Sequence, residues 1–512
     1  MHAVRLNLEA QPPAKQQVAR GCVFHDRNGN GLRDAGEPGV ADVRVSNGRK
    51  ITTTDPQGNY QLGVDQDTIV FVIKPRGWRT PINTHQLPQF YYIHKPKGSP
   101  QTKFPGVAPT GPLPKSIDFA LTPQEEPETF RAILFGDPQP RDQTEVDYIA
   151  HDVVEELVGT QASFGVTLGD IVFDDLSLFE SQAKTIALLG IPWYNVIGNH
   201  DINRDAKSDE HSDETFERVF GPAYYSFDYG PVHFMVLDDI EWYLGGKEGQ
   251  GTYRGGLGPR QMEFIRNDLA MIPKQQLVVL LMHIPLVDVR DRQELYRLIE
   301  QRPFCISISG HTHHHEHRFI TREDGWMGPK PHHHIINVTV SGSWWSGTPD
   351  ERGIPHTTMA DGAPNGYSII SFDGQKYALD FRAAGRPASY QMQIHAPELV
   401  SSSQTGQTDV YVNVFNGSER SVVEMRIGRQ QPWQTMERSV EIDPAFQKVV
   451  ASEAALQDKT WRALPNPKPS THLWRAKLPK RVKPGTHLIE IRATDWQQRR
   501  HTAQRVIRVS ND

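Results

Sequence analysis

The chain has 512 residues, with 55 Lys and Arg against 61 Asp and Glu, a net charge of −6 and 37% hydrophobic residues. That length exceeds what one hydrophobic core organises, so two to four domains are expected, and the mildly acidic balance gives no reason to expect a nucleic-acid partner. Only two cysteines, Cys22 and Cys305, are present, which excludes a disulfide framework; no apolar run reaches membrane-spanning length, and residues 1–20 lack the apolar stretch of a signal peptide, which leaves a cytoplasmic protein or one whose export segment is missing from this sequence.

Residues 20–122 read as an all-β, sandwich-like domain. Alternating runs such as Val43-Arg44-Val45 and Thr68-Ile69-Val70-Phe71-Val72-Ile73 are separated by Gly, Pro, Asn and Asp. Within it, residues 26–37 fit the twelve-residue calcium-loop spacing. Asp26, Asn28, Asn30, Asp34 and Glu37 supply side-chain oxygens, Leu32 supplies a carbonyl, and Gly31 stands at the sixth position. The flanks read as strand, so this is no helix–loop–helix; the alternative is an Asn-Gly-rich hairpin that binds nothing. A Pro-flanked polar linker at 122–127 closes the domain.

Residues 128–385 alternate strands and helices, the pattern of an α/β core. Val146, Ile149, Val153, Val154 and Leu157 fall at helical spacing over 145–158. Residues 259–269, with Pro in the first turn, and 291–299 read as further helices. From 386 to 512 the pattern returns to β, as in Val410-Tyr411-Val412-Asn413-Val414-Phe415. After Lys459, Lys and Arg outnumber Asp and Glu by about ten. A solvated surface accounts for that excess better than a patch for an anionic polymer or membrane surface does.

Five apolar, strand-like runs in the central segment each end in metal-binding residues. They deliver Asp137 with Gln139, then Asp170, then Asn199-His200-Asp201, then His283, then His311 with His313. Ligands of open α/β sheets bind beyond the C-terminal strand ends, so these five can share one site. Asp, Asn and His together suit borderline divalent metals, and two such cations side by side can clamp an in-line displacement at phosphorus. Cys305 opens an apolar strand and reads as a small core residue. Asp174 and Asp175 read as caps of a helix starting at Leu176. His314, His315 and His317 read as loop or strand-surface residues, and His332, His333 and His334 as exposed.

The order Asp-x-(His or Gln), Gly-Asp, Gly-Asn-His-Asp, His, Gly-His-Thr-His resembles the signature of calcineurin-like metallophosphoesterases. Gly342-Ser343-Trp344-Trp345, the run 361–367 and several tail motifs resemble a bacterial subgroup with accessory N- and C-terminal β-domains. The resemblance implies a four-layer α/β-sandwich core flanked by two all-β domains. It implies two divalent transition metals (Mn, Fe or Zn), with Asp170 bridging, Asp137 and His313 on the first and Asn199, His283 and His311 on the second. It also implies a phosphate-ester substrate, attacked by water shared between the cations. His200 would assist at the phosphate, oriented by Asp201. Gln139 departs from the commoner His, and three roles stay open for it: direct ligand, ligand through water, or pocket lining. Trp345, His356 and Asn365 either line the cleft or pack locally. Phosphodiester rather than monoester cleavage, or an inactive surface-binding protein on the same fold, are the rival readings. An extracytoplasmic setting follows from the resemblance alone, and loop 26–37 resembles calcium loops of bacterial adhesin domains.

Overall fold

In the computed structural model, residues 17–246 and 251–511 are described; most of the 1–20 stretch examined for a signal segment lies outside them. Two sheets form the centre. In the first, strands Trp193–Val196, Phe164–Leu168 and Thr129–Phe135 run parallel, and the hairpin Gly366–Asp373/Lys376–Ala383 is added antiparallel beside Thr129–Phe135. In the second, Val232–Val236, Leu277–Leu281, Cys305–Ser309 and His332–Ile336 run parallel, with Tyr225–Tyr229 and Glu316–Ile320 antiparallel at the edges.

Strand periodicity builds the layers. On Thr129–Phe135, Ala132 and Leu134 join the core between the two sheets, whereas Ile133 and Phe135 pack under Ile149, Val153, Val154 and Ile186. The covering helices are Gln143–Ile149, which continues through a π turn to Leu157, and Phe179–Ala187. Asp142 caps the first by accepting the Glu145 N–H. Helices Gly258–Met271 and Arg292–Ile299 cover the outer face of the second sheet through Phe264, Ile265, Leu295 and Ile299. The result is a helix–sheet–sheet–helix sandwich, as the resemblance implied.

The flanking regions are β-rich. Residues 17–123 form two four-stranded sheets around Val23, Val45, Val70, Val72, Phe119 and Leu121. Residues 392–510 form a four-stranded and a five-stranded sheet around Val412, Met425, Trp474, Ile489 and Ile491. The C-terminal region departs from an all-β reading: Pro444–Ala454 is a helix, with Asp443 accepting the Ala445 N–H and Pro at its first turn. No helix among the described residues is long and apolar enough to cross a membrane.

The histidine-rich runs correct the sequence reading. His332, His333 and His334 are buried in a central strand, and Ser307 and Ser309 on the neighbouring strand supply hydroxyls to the His332 and His334 rings. His315 and His317 are buried as well. A strand sandwiched between two others buries even polar side chains when neighbours complete their hydrogen bonds.

Candidate metal centre

The five strand-end segments meet at the C-terminal edges of the two sheets. Their backbones are contorted: Asp137, Gln139, Asp170, His311 and His313 all have positive φ, from 40° to 75°. Each costs an L-residue about 1–2 kcal/mol, and such strain collects where side chains must be aimed. The glycines allow close approach. A Cβ on Gly198 would lie 2.1 Å from Asp170 N, and one on Gly310 would lie 2.3 Å from Asp137 Oδ2.

Asp137 and His283 are fully buried, and Asp170 and Asn199 nearly so. Both Asp137 oxygens accept the His311 N–H at 3.0 Å, and His313 Nε2 lies 3.6 Å from Oδ1. Asp170 Oδ1 accepts the His200 N–H at 2.9 Å. The histidine tautomers are set from behind. His283 Nδ1 donates to Leu168 O at 2.8 Å and His313 Nδ1 to Gly342 O at 2.6 Å, which directs each Nε2 into the site. Around His283 Nε2 stand Asp170 Oδ1 at 3.3 Å, Asn199 Oδ1 at 3.1 Å and His311 Nδ1 at 3.2 Å. With its proton on Nδ1, the neutral His283 ring turns a lone pair, not an N–H, toward these three O and N atoms. Gln139 adds another: its Nε2 donates to Asp170 Oδ2 at 2.8 Å, while its buried Oε1 has no hydrogen-bond partner among the described residues. A surplus of O and N lone pairs around Asp170, His283 and His311 fits divalent cations by donor chemistry.

The electrostatics divide the candidate ligands. Burial, joined by the Asp170 charge, pushes Asp137 up to about 7. Burial holds His311 down to about 3 and His313 to about 4, neutral as a ligand must be. His283 goes the other way: burial is outweighed by Asp170, which raises it to about 10. Asp170 itself stays ionised, because His283 and His200 outweigh its burial.

The hydrogen bonds of the Asp201 carboxylate go to backbone rather than to the His200 ring. It accepts the backbone N–H groups of Ile171, Val172 and Gly198, tying two of the strand-end loops together. The ring's carboxylate is Asp174, with Oδ1 2.7 Å from His200 Nδ1, backed by Arg204 Nε at 2.8 Å. Asp175 caps the turn at Leu176, so of the two acidic residues only Asp175 plays the expected role. Phe173 stacks on the His200 ring with centroids 4.3 Å apart. Burial lowers the His200 pKa, but Asp170 and Asp174 together raise it above the ordinary value.

Asp239 was also unread in the sequence. It accepts the His283 and Ile284 N–H groups and fixes that loop. Its only sequence signal was its place after the apolar run 232–237, the same strand-end position the candidate ligands occupy. Trp344 stacks on His313 at 4.2 Å. Trp345, His356 and Asn365 pack locally: Trp345 donates to Pro138 O, His356 meets Glu453, and Asn365 holds Asp152.

Away from this centre, loop 26–37 is closed by its own side chains. Asp26 accepts the Gly29 and Gly31 N–H groups, Glu37 accepts those of Arg27 and Asp34, and the Asn28 and Asn30 amides both donate to Asp34. The Asn30 side-chain Oδ1 accepts the Leu32 N–H at 2.7 Å.

Three profiles of one family match the chain. One described as "Calcineurin-like phosphoesterase" covers residues 130–315, its N-terminal companion covers 27–106 and its C-terminal companion covers 334–501. No curated protein matches. Among solved structures, the purple acid phosphatase PPD1 from yellow lupin (Lupinus luteus) seeds is similar at 14% identity and a TM-score of 0.35, over 67% of each chain.

Proposed function

The chain belongs to the calcineurin-like phosphoesterases, and we propose that it hydrolyses phosphate esters at a centre holding two divalent transition metals. The surplus of acceptors around His283 Nε2 carries this reading. Asp137 and His313 would hold one cation, Asn199, His283 and His311 the other, and Asp170 both. When bound, such a pair supplies Lewis-acid charge and an activated water nucleophile.

The chain's own residues do the rest. Asp137, Asp170 and the backbone ties of Asp201 and Asp239 hold the ligand loops in register. Gln139 steadies Asp170 through its Nε2, and its unpartnered Oε1 would be free to ligate the first cation directly or through water. His200, with Asp174 on Nδ1, keeps Nε2 for the leaving oxygen and gives it a proton. Its raised pKa supports that acid role.

An assay of p-nitrophenyl phosphate and its bis ester side by side, with added Mn, tests the reading. Turnover of either supports it, and the preferred ester assigns monoesterase or diesterase. The nearly complete ligand set, with Gln139 the one departure, opposes an inactive binding protein on this fold. We also propose one Ca in loop 26–37, with Asp26, Asn28, Asn30, Asp34 and Glu37 as side-chain donors and Leu32 as carbonyl donor. Calcium should raise the melting temperature of the N-terminal region; no shift at saturating calcium refutes it. The extracytoplasmic setting rests on family resemblance, and cell fractionation tests it.

A further inference from the structure

The segment that carries His311 and His313 runs on into His315 and His317. Both rings are buried, and both meet one atom. His315 Nε2 lies 3.0 Å and His317 Nε2 2.7 Å from Oδ1 of Asn416, just after the strand Asp409–Val414 of the C-terminal region. Asn416 is itself fixed, because its Nδ2 donates to Leu379 O at 2.9 Å. Its Oδ1 is therefore the acceptor and both imidazoles donate from Nε2. The proton order continues outward: His317 Nδ1 accepts from His333 Nε2 at 2.9 Å, and His333 Nδ1 accepts the Tyr377 hydroxyl at 2.7 Å.

A second grip reaches the same residue from its backbone. The His315 N–H donates to Asp361 Oδ2 at 3.1 Å, and that oxygen also accepts His472 Nε2 at 3.0 Å. His472 Nδ1 donates to Asn413 Oδ1 at 2.7 Å, while Asn413 Nδ2 donates to Asp361 O and to Asp443. Asn413, Asn416 and His472 all come from the C-terminal region. Both grips close on His315, two residues beyond His313. The backbone at His311 and His313 lies in the left-handed region, φ 75° and 53°, and needs outside contacts to stay there. Simple adhesion between region and core would not require both grips to converge on the residue next to the ligands.

We propose that Asn416 and His472 are positioning residues of the metal centre, fixing His315 and thereby the backbone that presents His311 and His313; this rests on the function proposed above. On this view the C-terminal region is part of the catalytic machinery. Groups that orient metal ligands commonly change metal affinity 10–100-fold when removed.

The test uses the full chain loaded with Mn or Zn, comparing wild type, Asn416→Ala, Asn416→Asp and His472→Asn. Metal release to a chelator, kcat, KM and melting temperature are read for each. Asn416→Ala should release metal about 10-fold faster and lose kcat, with KM within about 2-fold. Asn416→Asp keeps an acceptor for both rings and should recover most of both. Wild-type metal release and kcat in Asn416→Ala, with only a lower melting temperature, overturn the proposal. Should Asn416→Ala not fold, His472→Asn is read by the same two outcomes. A wild-type protein that holds no transition metal overturns the proposed function as well, so the two failures are distinct.

Discussion

At Arg44 the N-terminal region meets the core through Asp228, His233, Asp268 and Ser226; at the strand ends the same core gathers Asp137, Asp170, His283 and His311. Both clusters are buried sets of Asp and His, yet their hydrogen bonds close differently. Asp268 takes Arg44 Nη1 at 2.8 Å, His233 Nε2 at 3.0 Å and the Ser226 hydroxyl, while Asp228 takes Arg44 Nη2 and His233 Nδ1 at 2.7 Å each. Both nitrogens of His233 donate, so two carboxylates face two cations and every oxygen has a donor. Around His283, acceptors outnumber hydrogens, and the Gln139 oxygen is left over. Residue type and burial do not separate a structural ion cluster from a metal site; the donor–acceptor balance does.

The largest expected effect comes from removing the shared carboxylate of the unbalanced cluster. Asp170→Asn should abolish binding of both metals and lower activity at least about a thousand-fold, consistent with several kcal/mol of transition-state stabilisation; metal analysis and turnover check it. Next, His200→Ala should lower kcat by about 10²–10⁴ while metal content stays at the wild-type level, and full turnover in that variant would remove His200 from the chemistry. In the balanced cluster, Asp268→Asn should cost about 3–5 kcal/mol of stability by leaving Arg44 and His233 underpaired, measured by denaturant unfolding, with no change in bound metal. The smallest effect is on pH dependence. Burial lowers the His233 pKa, but Asp268 and Asp228 raise it above the ordinary value. Its stabilisation is therefore complete below the unfolded pKa near about 6.5 and is lost as pH rises through the folded value. Melting curves of the metal-loaded protein should decline over that range, and His233→Gln should flatten the decline.

The candidate centre could be found in the sequence because each proposed ligand follows an apolar run at a strand end, and the fold brings Asp170, His283 and His311 together. What was not legible depends on packing across long sequence separations. Asp174 and Asp175 are indistinguishable as capping residues until the fold brings Asp174 to His200. Asp201, adjacent to His200 in sequence, turns instead to three backbone N–H groups. The run His332-His333-His334 looks like surface until Ser307, Ser309 and His317 surround it. The C-terminal helix was missed although Asp443-Pro444 is a helix-start signal, because the neighbouring strands dominated the pattern. The alternation of strands and helices in the core was legible because their periodicities agree with burial, whereas the layering came from the resemblance.

The most direct measurement is transition-metal content together with hydrolysis of p-nitrophenyl phosphate and its bis ester, before and after chelation. The expected result is bound metal, turnover of at least one ester, loss of turnover on chelation and its return with Mn. Absence of bound transition metal together with no turnover of either ester in added Mn would contradict the assignment of the strand-end cluster as a metal-dependent phosphoesterase centre.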